Sequence, residues 1–169
     1  IISKTCKQIE NKFNTIVAPA NINSPKQIVI SGTTIGVNQV VKHLTQIGYK
    51  KCIKLNVSVA SHSRLMDEIS KDFRDELNEI DFNEPNCEVI HNVDNKSSSD
   101  IFDLKEKLLN QLTCPVQWTN TMNYIKKFNG IVIECGPNKI LTGIAKSNGI
   151  KNIFSTSSKN FIDEIKEVL

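Results

Sequence analysis

One histidine, His62, stands out among the residues of this chain that could carry chemistry. It directly follows a stretch over residues 53–59 in which apolar residues alternate with polar ones, and a helical pattern comes after it. Active groups in α/β folds gather where strands end, so this placement favours a general acid or base. A lone histidine is more often a hydrogen-bonded structural residue, so the spacing alone is a weak signal and leaves both interpretations open. His43, inside a helical pattern, and His91, inside a predicted strand, are predicted to be structural.

A serine nucleophile to match His62 is harder to find. The sequence contains no GxSxG motif, the strained turn on which serine hydrolases carry their nucleophile. Ser61 and Ser63 flank His62, but side chains adjacent in sequence diverge and cannot readily line up a hydrogen bond to the imidazole between them. The GPNK run over 136–139 could receive an anion at a helix start, or could simply be a turn. No two histidines stand at metal-ligand spacing, and we expect no metal site.

The elements that would position His62 begin with a small mixed unit. Hydrophobic periodicity predicts helices over 4–13 and 33–47 and strands over 15–18, 27–31 and 53–59. A loop is predicted over 21–25, because Pro25 and two asparagines favour turns. The alternation over 53–59 is the clearest strand pattern in the chain. This set of elements favours an α+β unit of ferredoxin-like type.

After residue 60, helical and strand patterns alternate, which is typical of an α/β layer. The predicted helices cover 65–80, 101–112, 115–128, 138–146 and 161–169, and the predicted strands cover 87–93, 131–133 and 153–155. Asp100 is predicted to cap the helix that begins at residue 101. Three strands are few for a sheet that is covered on both faces, so the pattern indicates that strands of this sheet are missing.

The composition is that of a soluble globular protein, with 39% hydrophobic and 23% charged residues in 169. The formal charge of +3 comes from scattered lysines interleaved with acidic residues, which argues against nucleic-acid binding. No apolar run approaches the length of a membrane span. The five cysteines are widely spaced and include no CxxC pair, which predicts buried free thiols in a reducing compartment.

Several blocks of the sequence together resemble consecutive blocks of the malonyl-CoA:acyl carrier protein transacylases. The blocks are VAPANINSP at 17–25, QIVISG at 27–32, VSVASHSRLM at 57–66, HNVD at 91–94, QLTCPVQW at 111–118 and ECGPNKILTG at 134–143. They follow the family's order and spacing and cover essentially the whole chain. Any one block would be weak, but their succession is specific to this family.

The resemblance implies an α/β (α+β) fold. Residues 1–59 would form a ferredoxin-like small subdomain, and residues 60–169 the C-terminal part of a hydrolase-like α/β acyltransferase subdomain. Family members move a malonyl group from malonyl-CoA to the phosphopantetheine thiol of acyl carrier protein in type II fatty acid synthesis, through a malonyl ester on serine. Malonyl-CoA and acyl carrier protein are thus the implied partners, with no cofactor and no membrane. The implied location is the bacterial cytoplasm or a plastid-type organelle.

The resemblance also implies roles for particular residues. His62 matches the family's base, which takes the proton from serine and then gives it to the departing thiol. The backbone carbonyl of Gln111 matches the group that holds the second imidazole nitrogen. Asn21 and Asn23 match a pair that lines the active-site cleft and are expected to bind substrate.

Other parts of the family's site do not match this chain. The serine elbow, the arginine that pairs with the malonyl carboxylate and the oxyanion-hole amides belong to the half that precedes the matching blocks, and neither Arg64 nor Arg74 lies in that arginine's motif. The chain is therefore expected to supply the histidine half of a Ser-His site and to be inactive alone.

Two alternatives remain beside this hypothesis. A non-catalytic module that binds acyl carrier protein would suit the scattered lysines, because carrier proteins of this system are acidic. A complete enzyme would have to use His62 with Ser61 or Ser63. Because a sheet without its neighbours exposes strand edges and apolar surface, self-association is also expected.

Overall fold

The computed structural model describes residues 1–168 as a mixed α/β arrangement of helices and short strands. In chain order the elements are α1 (Ile2–Phe13), β1 (Val17–Ser24), β2 (Gln27–Gly32), α2 (Thr34–Gln46), a 3₁₀ turn (Arg64–Met66), α3 (Asp67–Glu79), α4 (Ile101–Asn110), α5 (Trp118–Ile125), a second 3₁₀ turn (Lys126–Phe128), β3 (Val132–Glu134), α6 (Ile140–Ser147), β4 (Ile153–Ser155) and α7 (Phe161–Lys166). Position 169, the end of the last predicted helix, lies outside the described residues. Within residues 1–168 no helix has the length and apolar character needed to cross a bilayer.

The first four elements form an antiparallel hairpin with two helices packed against it, called here the hairpin unit (residues 2–46). Its buried core consists of Cys6, Ile9, Val17, Val40 and Leu44. The Thr33 hydroxyl caps α2 by accepting the amide of Gly36 at 3.0 Å. A Cβ atom at residue 36 would lie 2.8 Å from the carbonyl oxygen of Ile16, so glycine is required for α2 to lie this close to the hairpin.

The predicted strand over 53–59 is wrong, because the structure has no strand there. Its apolar side chains are all exposed: Ile53 82%, Leu55 50%, Val57 71% and Val59 51%. Alternation stabilises a strand only when one face packs on a partner surface, and the described residues offer none to this segment. The predicted ferredoxin-like unit is thereby reduced to a hairpin and two helices.

Two other predictions also need correction. The predicted loop over 21–25 is instead the end of β1, so Asn21 and Asn23 lie in a strand and the turn falls at Pro25 and Lys26. The predicted strand over 87–93 is only an isolated bridge between Ile90 and Ser97. Residues 21–24 form a strand because they pair with β2, whereas residues 87–93 have only one bridging partner and form none. The available backbone pairing, rather than side-chain propensity, decides both cases.

The second layer is built around a parallel pair of strands, β3 and β4, in the register Val132↔Ile153. Its core consists of Met122, Ala145, Ile150 and Ile153, with Trp118, Ile125 and Val132 packed around them. The predicted helices at α3 to α7 are present, and Asp100 caps α4 through the amide of Asp103 at 2.7 Å, as predicted. The sheet has two strands, one fewer than the sequence indicated.

Polar contacts join this layer to the hairpin unit. The hydroxyl of Thr119 donates to the carbonyl of Ile22 at 3.0 Å, and the side-chain amide of Asn148 donates to the carbonyl of Asn23 at 2.7 Å. Helices α5 and α6 therefore both contact β1. The proposed boundary between residues 59 and 60 stays a prediction.

The five cysteines are free thiols in the structure. Cys6 is buried, and burial raises the pKa of its thiol to about 11. Cys87 and Cys135 are exposed, so the prediction of buried thiols is wrong for them. Each of these two cysteines lies outside the helices and strands, in a loop or bend that leaves its side chain exposed.

Candidate functional site

The backbone at His62 is held in an unusual conformation. Its φ is 59°, in the left-handed region that side chains with a Cβ rarely adopt. The amide of His62 donates to the carbonyl of Leu112 at 2.9 Å, which ties this turn to the end of α4. Because the strand predicted before His62 is absent, a contact fifty positions along the chain positions the residue instead. Backbone strain of this kind clusters at functional sites.

The imidazole of His62 is oriented by the main chain of Gln111. The distance from His62 Nδ1 to the Gln111 carbonyl oxygen is 2.7 Å. A carbonyl can only accept a hydrogen bond, so Nδ1 carries the proton and donates it. In the neutral ring Nε2 is then the bare nitrogen. The half-buried imidazole thus keeps Nε2 as an acceptor nitrogen while Nδ1 is bound to Gln111.

Gln111 can offer this carbonyl because it is the C-cap of α4, where helix carbonyls lack partners within the helix. Its own side-chain amide donates to the carbonyl of Cys114 at 3.0 Å. The same amide nitrogen is 3.4 Å from His62 Nδ1, a longer separation than the 2.7 Å to the carbonyl. The backbone of Gln111 therefore sets the ring's tautomer, and the side chain closes the turn after α4.

The two asparagines lie on a strand that is tied to the segment following Gln111. Asn21 forms a parallel bridge with Val116, and Ile22 and Val116 are joined by an amide-to-carbonyl bond of 2.9 Å. Both asparagines are half-buried. Within residues 1–168 no hydrogen bond joins either asparagine side chain to His62. The structure thus brings His62 and Gln111 into contact and links Asn21 to them through the backbone.

The serines beside His62 have other partners. Ser63 is 1% exposed, and its hydroxyl donates to the carbonyl of Ala60 at 2.7 Å while accepting the amide of Leu65. It serves as the N-cap of the 3₁₀ turn. Ser61 is exposed and adjoins His62 along the chain. This geometry argues against a site completed by Ser63.

The possible anion site at the start of α6 is already filled by a side chain of the protein. The buried carboxylate of Glu134 accepts the amides of Leu141 at 2.9 Å and Thr142 at 2.7 Å, together with the Thr142 hydroxyl. Burial acts to raise the pKa of Glu134, but these donors outweigh it and hold the pKa below its ordinary value. The run over 136–139 is therefore a turn, and helix-start amides that an anion would need bind Glu134 instead.

The remaining candidates have structural partners. Arg64 pairs with Glu10 at 2.9 Å, and Arg74 pairs with Glu106. His43 lies in α2, as predicted. Among residues 1–168 no group of three or more His, Cys, Asp or Glu side chains is arranged to hold a metal ion.

Sequence patterns missed two residues that shape this region, the buried carboxylate Glu134 and the buried lysine Lys107. For Lys107 a signal was present, because Asp103 lies four residues before it on the same helix face. For Glu134 the sequence offers no local signal, since its partners, Leu141 and Thr142, lie at the start of α6, seven and eight residues later.

Comparison with known proteins identifies the family to which the chain belongs. The acyl transferase domain matches residues 3–159. The malonyl CoA-acyl carrier protein transacylase of Salmonella typhimurium is 37% identical over 147 residues, which cover 86% of this chain and 47% of that protein. The chain thus spans about half the length of the curated relatives it matches.

Solved structures agree with the sequence comparison. The malonyl CoA-acyl carrier protein transacylase of Coxiella burnetii superposes with a TM-score of 0.91 at 30% identity, covering 98% of this chain and 52% of that one. A malonyl-transacylase solved in complex with its type II PKS acyl-carrier protein gives a TM-score of 0.87 at 30% identity, covering 98% and 54%. The fold is a partial α/β acyltransferase fold. The chain belongs to the acyl transferase domain family, and its relatives there are malonyl CoA-acyl carrier protein transacylases.

Proposed function

We propose that this chain supplies the histidine part of a malonyl-CoA:acyl carrier protein transacylase site in type II fatty acid synthesis. The observation that carries the proposal is the 2.7 Å contact between His62 Nδ1 and the Gln111 carbonyl. That contact leaves Nε2 free to accept a proton, which is what a general base for a serine hydroxyl requires. The family and the named activity of the relatives support the same reaction class.

The proposed reaction has two matching halves. A serine hydroxyl gives its proton to His62 Nε2 while its oxygen attacks the thioester carbonyl of malonyl-CoA. The carbon–sulfur bond then breaks, and the imidazolium returns the proton to the departing coenzyme A thiolate. The phosphopantetheine thiol of acyl carrier protein reverses these steps and takes the malonyl group. The proposed reaction uses no cofactor, and malonyl-CoA takes part in it as a substrate.

The Gln111 carbonyl would act throughout this cycle. It accepts the Nδ1 hydrogen bond in both the neutral and the protonated ring, so the imidazole keeps one orientation while its charge changes. A carbonyl dipole aimed at Nδ1–H also favours the imidazolium that forms when serine is deprotonated. Since the sequence has no GxSxG elbow, we propose that the serine comes from polypeptide outside these 169 residues.

The proposed substrate and carrier contacts involve the two asparagines and the charge of the chain. Asn21 and Asn23 lie on the strand tied to the segment after Gln111, and their amides would bind substrate or water in the cleft. Acyl carrier protein is the proposed partner, because one neighbour was solved in complex with such a protein. The formal charge of +3 is compatible with an acidic carrier.

A chimeric enzyme tests the proposal. This chain would replace the matching segment of the Salmonella typhimurium relative, and malonyl transfer from malonyl-CoA to acyl carrier protein would be measured. His62→Ala should lower kcat by about 100- to 10,000-fold, the usual contribution of a positioned acid–base group. His43→Ala, a histidine on α2, serves as the matched control and should keep full activity. A chimera that works equally well without His62 would overturn the assignment.

The isolated chain separates this proposal from a pure binding module. Incubation with radiolabelled malonyl-CoA should leave no stable label on it, because it lacks the nucleophile. A labelled chain would contradict the proposed division of the site. An inactive chimera, together with binding of the isolated chain to acyl carrier protein, would favour the non-catalytic module.

A further inference from the structure

We propose that Lys107 is a positioning residue for His62: by tying α4 to the turn over residues 91–97, it fixes the Gln111 carbonyl against the imidazole. The relevance of this tie to catalysis rests on the proposed function, whereas the tie itself can be tested in the isolated chain. Lys107 and Gln111 are one helical turn apart, and the Gln111 amide donates to the Lys107 carbonyl at 3.1 Å. The position of Lys107 therefore sets that of Gln111.

The side chain of Lys107 is buried and paired with two carboxylates. It is 8% exposed, and its Nζ lies 2.9 Å from Asp103 Oδ2 and 3.5 Å from Asp94 Oδ2. Nζ also lies 3.5 Å from the carbonyl oxygen of Ser97. Asp103 belongs to α4 itself, whereas Asp94 and Ser97 belong to the turn. One ammonium group thus joins the helix to the turn.

The turn is also tied to the chain beyond Gln111. The carbonyl of Asn92 accepts the amide of Gln117 at 2.7 Å. The turn is closed on itself, because the amide of Asn95 donates to the carbonyl of His91 at 3.0 Å and the amide of His91 donates to the carbonyl of Lys96. A single closed turn therefore holds both ends of the segment 107–117, which contains the Gln111 carbonyl. Fixing both ends limits how far that carbonyl can move from the ring.

Burying an ammonium group costs free energy unless opposite charges and hydrogen-bond acceptors lie in contact with it. Although burial acts to lower it, the pKa of Lys107 is raised, because Asp103 accepts its hydrogen bond and both carboxylates attract its charge. Lys105, two residues earlier on α4, donates instead to the carbonyl of Ile80 and contacts Phe82. It therefore ties α4 to a different segment and provides a matched control on the same helix.

The test uses the isolated, isotope-labelled chain and nuclear magnetic resonance of the His62 ring. Lys107→Met keeps the apolar stem and removes the charge. We expect exchange of the Nδ1 proton with water to become about tenfold faster or more, since a hydrogen-bonded tie to a charged group is lost. The fraction of the ring protonated at Nδ1 should fall as well. Lys105→Met should change neither quantity.

Two further variants guard against a general loss of folding. Lys107→Arg retains the positive charge and should restore most of the protection of the Nδ1 proton. Asp94→Asn removes the carboxylate that Lys107 contacts in the turn and leaves the contact to the Ser97 carbonyl. Because Asp94 is 35% exposed, this variant should leave the fold intact and give an intermediate exchange rate. An unchanged His62 ring in both Lys107→Met and Asp94→Asn would overturn the proposal. A changed ring in an otherwise inactive chimera would uphold the tie and count against the proposed function instead.

Discussion

The hairpin unit and the histidine site (residues 60–63 with 111–117) are held together by different kinds of contact. The hairpin unit has an apolar core, with Val17 and Val40 fully buried. The histidine site depends on hydrogen bonds between distant parts of the chain. The imidazole of His62 contacts the carbonyl of Gln111, and the amide of His62 donates to the carbonyl of Leu112. Apolar packing stabilises the first region, and directed polar contacts fix the geometry of the second.

Hydrophobic periodicity is informative in the first region and misleading just before the second. In the hairpin unit the periodic residues meet a partner surface, so the pattern predicts real elements. Just before the histidine site the same kind of pattern lies over exposed residues, Val57 among them at 71%. A pattern of apolar residues therefore indicates what a segment could bury, and the structure decides whether a partner is available.

Two leucines give the largest expected contrast. Leu44→Ala, at a buried position that is 5% exposed, should lower the free energy of unfolding by about 2–5 kcal/mol. Leu55→Ala, in the exposed segment at 50%, should change it by less than about 0.5 kcal/mol. Urea denaturation of both variants measures the contrast. Equal losses would mean that residues 53–59 pack after all.

Glu134 tests whether a polar contact can rival apolar packing. Glu134→Gln should lower the free energy of unfolding by about 1.5–3 kcal/mol at pH 7, since hydrogen bonds to a charged group at the start of α6 are weakened. The pKa of Glu134 is lower in the folded protein than its ordinary value of 4.5, so its stabilisation is complete above that value and is lost as the pH falls through 4.5 and below.

Denaturation measured from pH 7 down to pH 3 checks this dependence. The original chain should lose stability more steeply over this range than Glu134→Gln does. Glu76→Gln removes an exposed carboxylate from the middle of α3 and should leave the pH dependence unchanged. Parallel curves for the original chain and Glu134→Gln would exclude this role for the carboxylate.

The exposed segment before His62 should promote self-association. Ile53 and Val57 are 82% and 71% exposed and alternate in a pattern that suits strand pairing between molecules. The double variant Ile53→Ser, Val57→Ser should weaken self-association by about tenfold or more, as judged from the transfer free energy of such side chains. Sedimentation equilibrium measures it, with Ile35→Ser on α2 as an exposed control. A compact monomer at all concentrations would contradict the prediction.

The smallest effects are expected at the two asparagines. Asn21→Ala and Asn23→Ala should each lower kcat/KM of the chimera by about twofold to tenfold, the worth of one neutral hydrogen bond. Their side chains make no hydrogen bond to any group within residues 1–168, so the free energy of unfolding should change by less than about 0.5 kcal/mol. Loss of stability without loss of kcat/KM would assign both residues a structural role.

Much of the fold could be predicted from the sequence, because most of its helices bury one apolar face within the chain itself. The helices with residues such as Leu44 and Leu77 follow from their spacing. The exposed conformation of residues 53–59 could not be predicted, because it depends on whether another segment packs against them. The sequence of the segment alone does not show this.

The candidate site could be predicted in part. His62 stood out by its place between two patterns, but its contact with Gln111 follows from the resemblance, because no rule of spacing connects residues 49 positions apart. The positive φ of His62 has no local signal in the sequence. The i,i+4 spacing of Asp103 and Lys107 indicates an ion pair but not the burial of Lys107. Both depend on how distant loops meet.

The most direct test is the protonation pattern of the His62 ring, measured in the isotope-labelled chain under conditions in which imidazole is neutral. Long-range nitrogen–proton correlations distinguish the two ring nitrogens. We expect one dominant neutral form, protonated at Nδ1 and bare at Nε2, because the Gln111 carbonyl accepts a hydrogen bond from Nδ1. A ring protonated mainly at Nε2, or an even mixture of both forms, would contradict it.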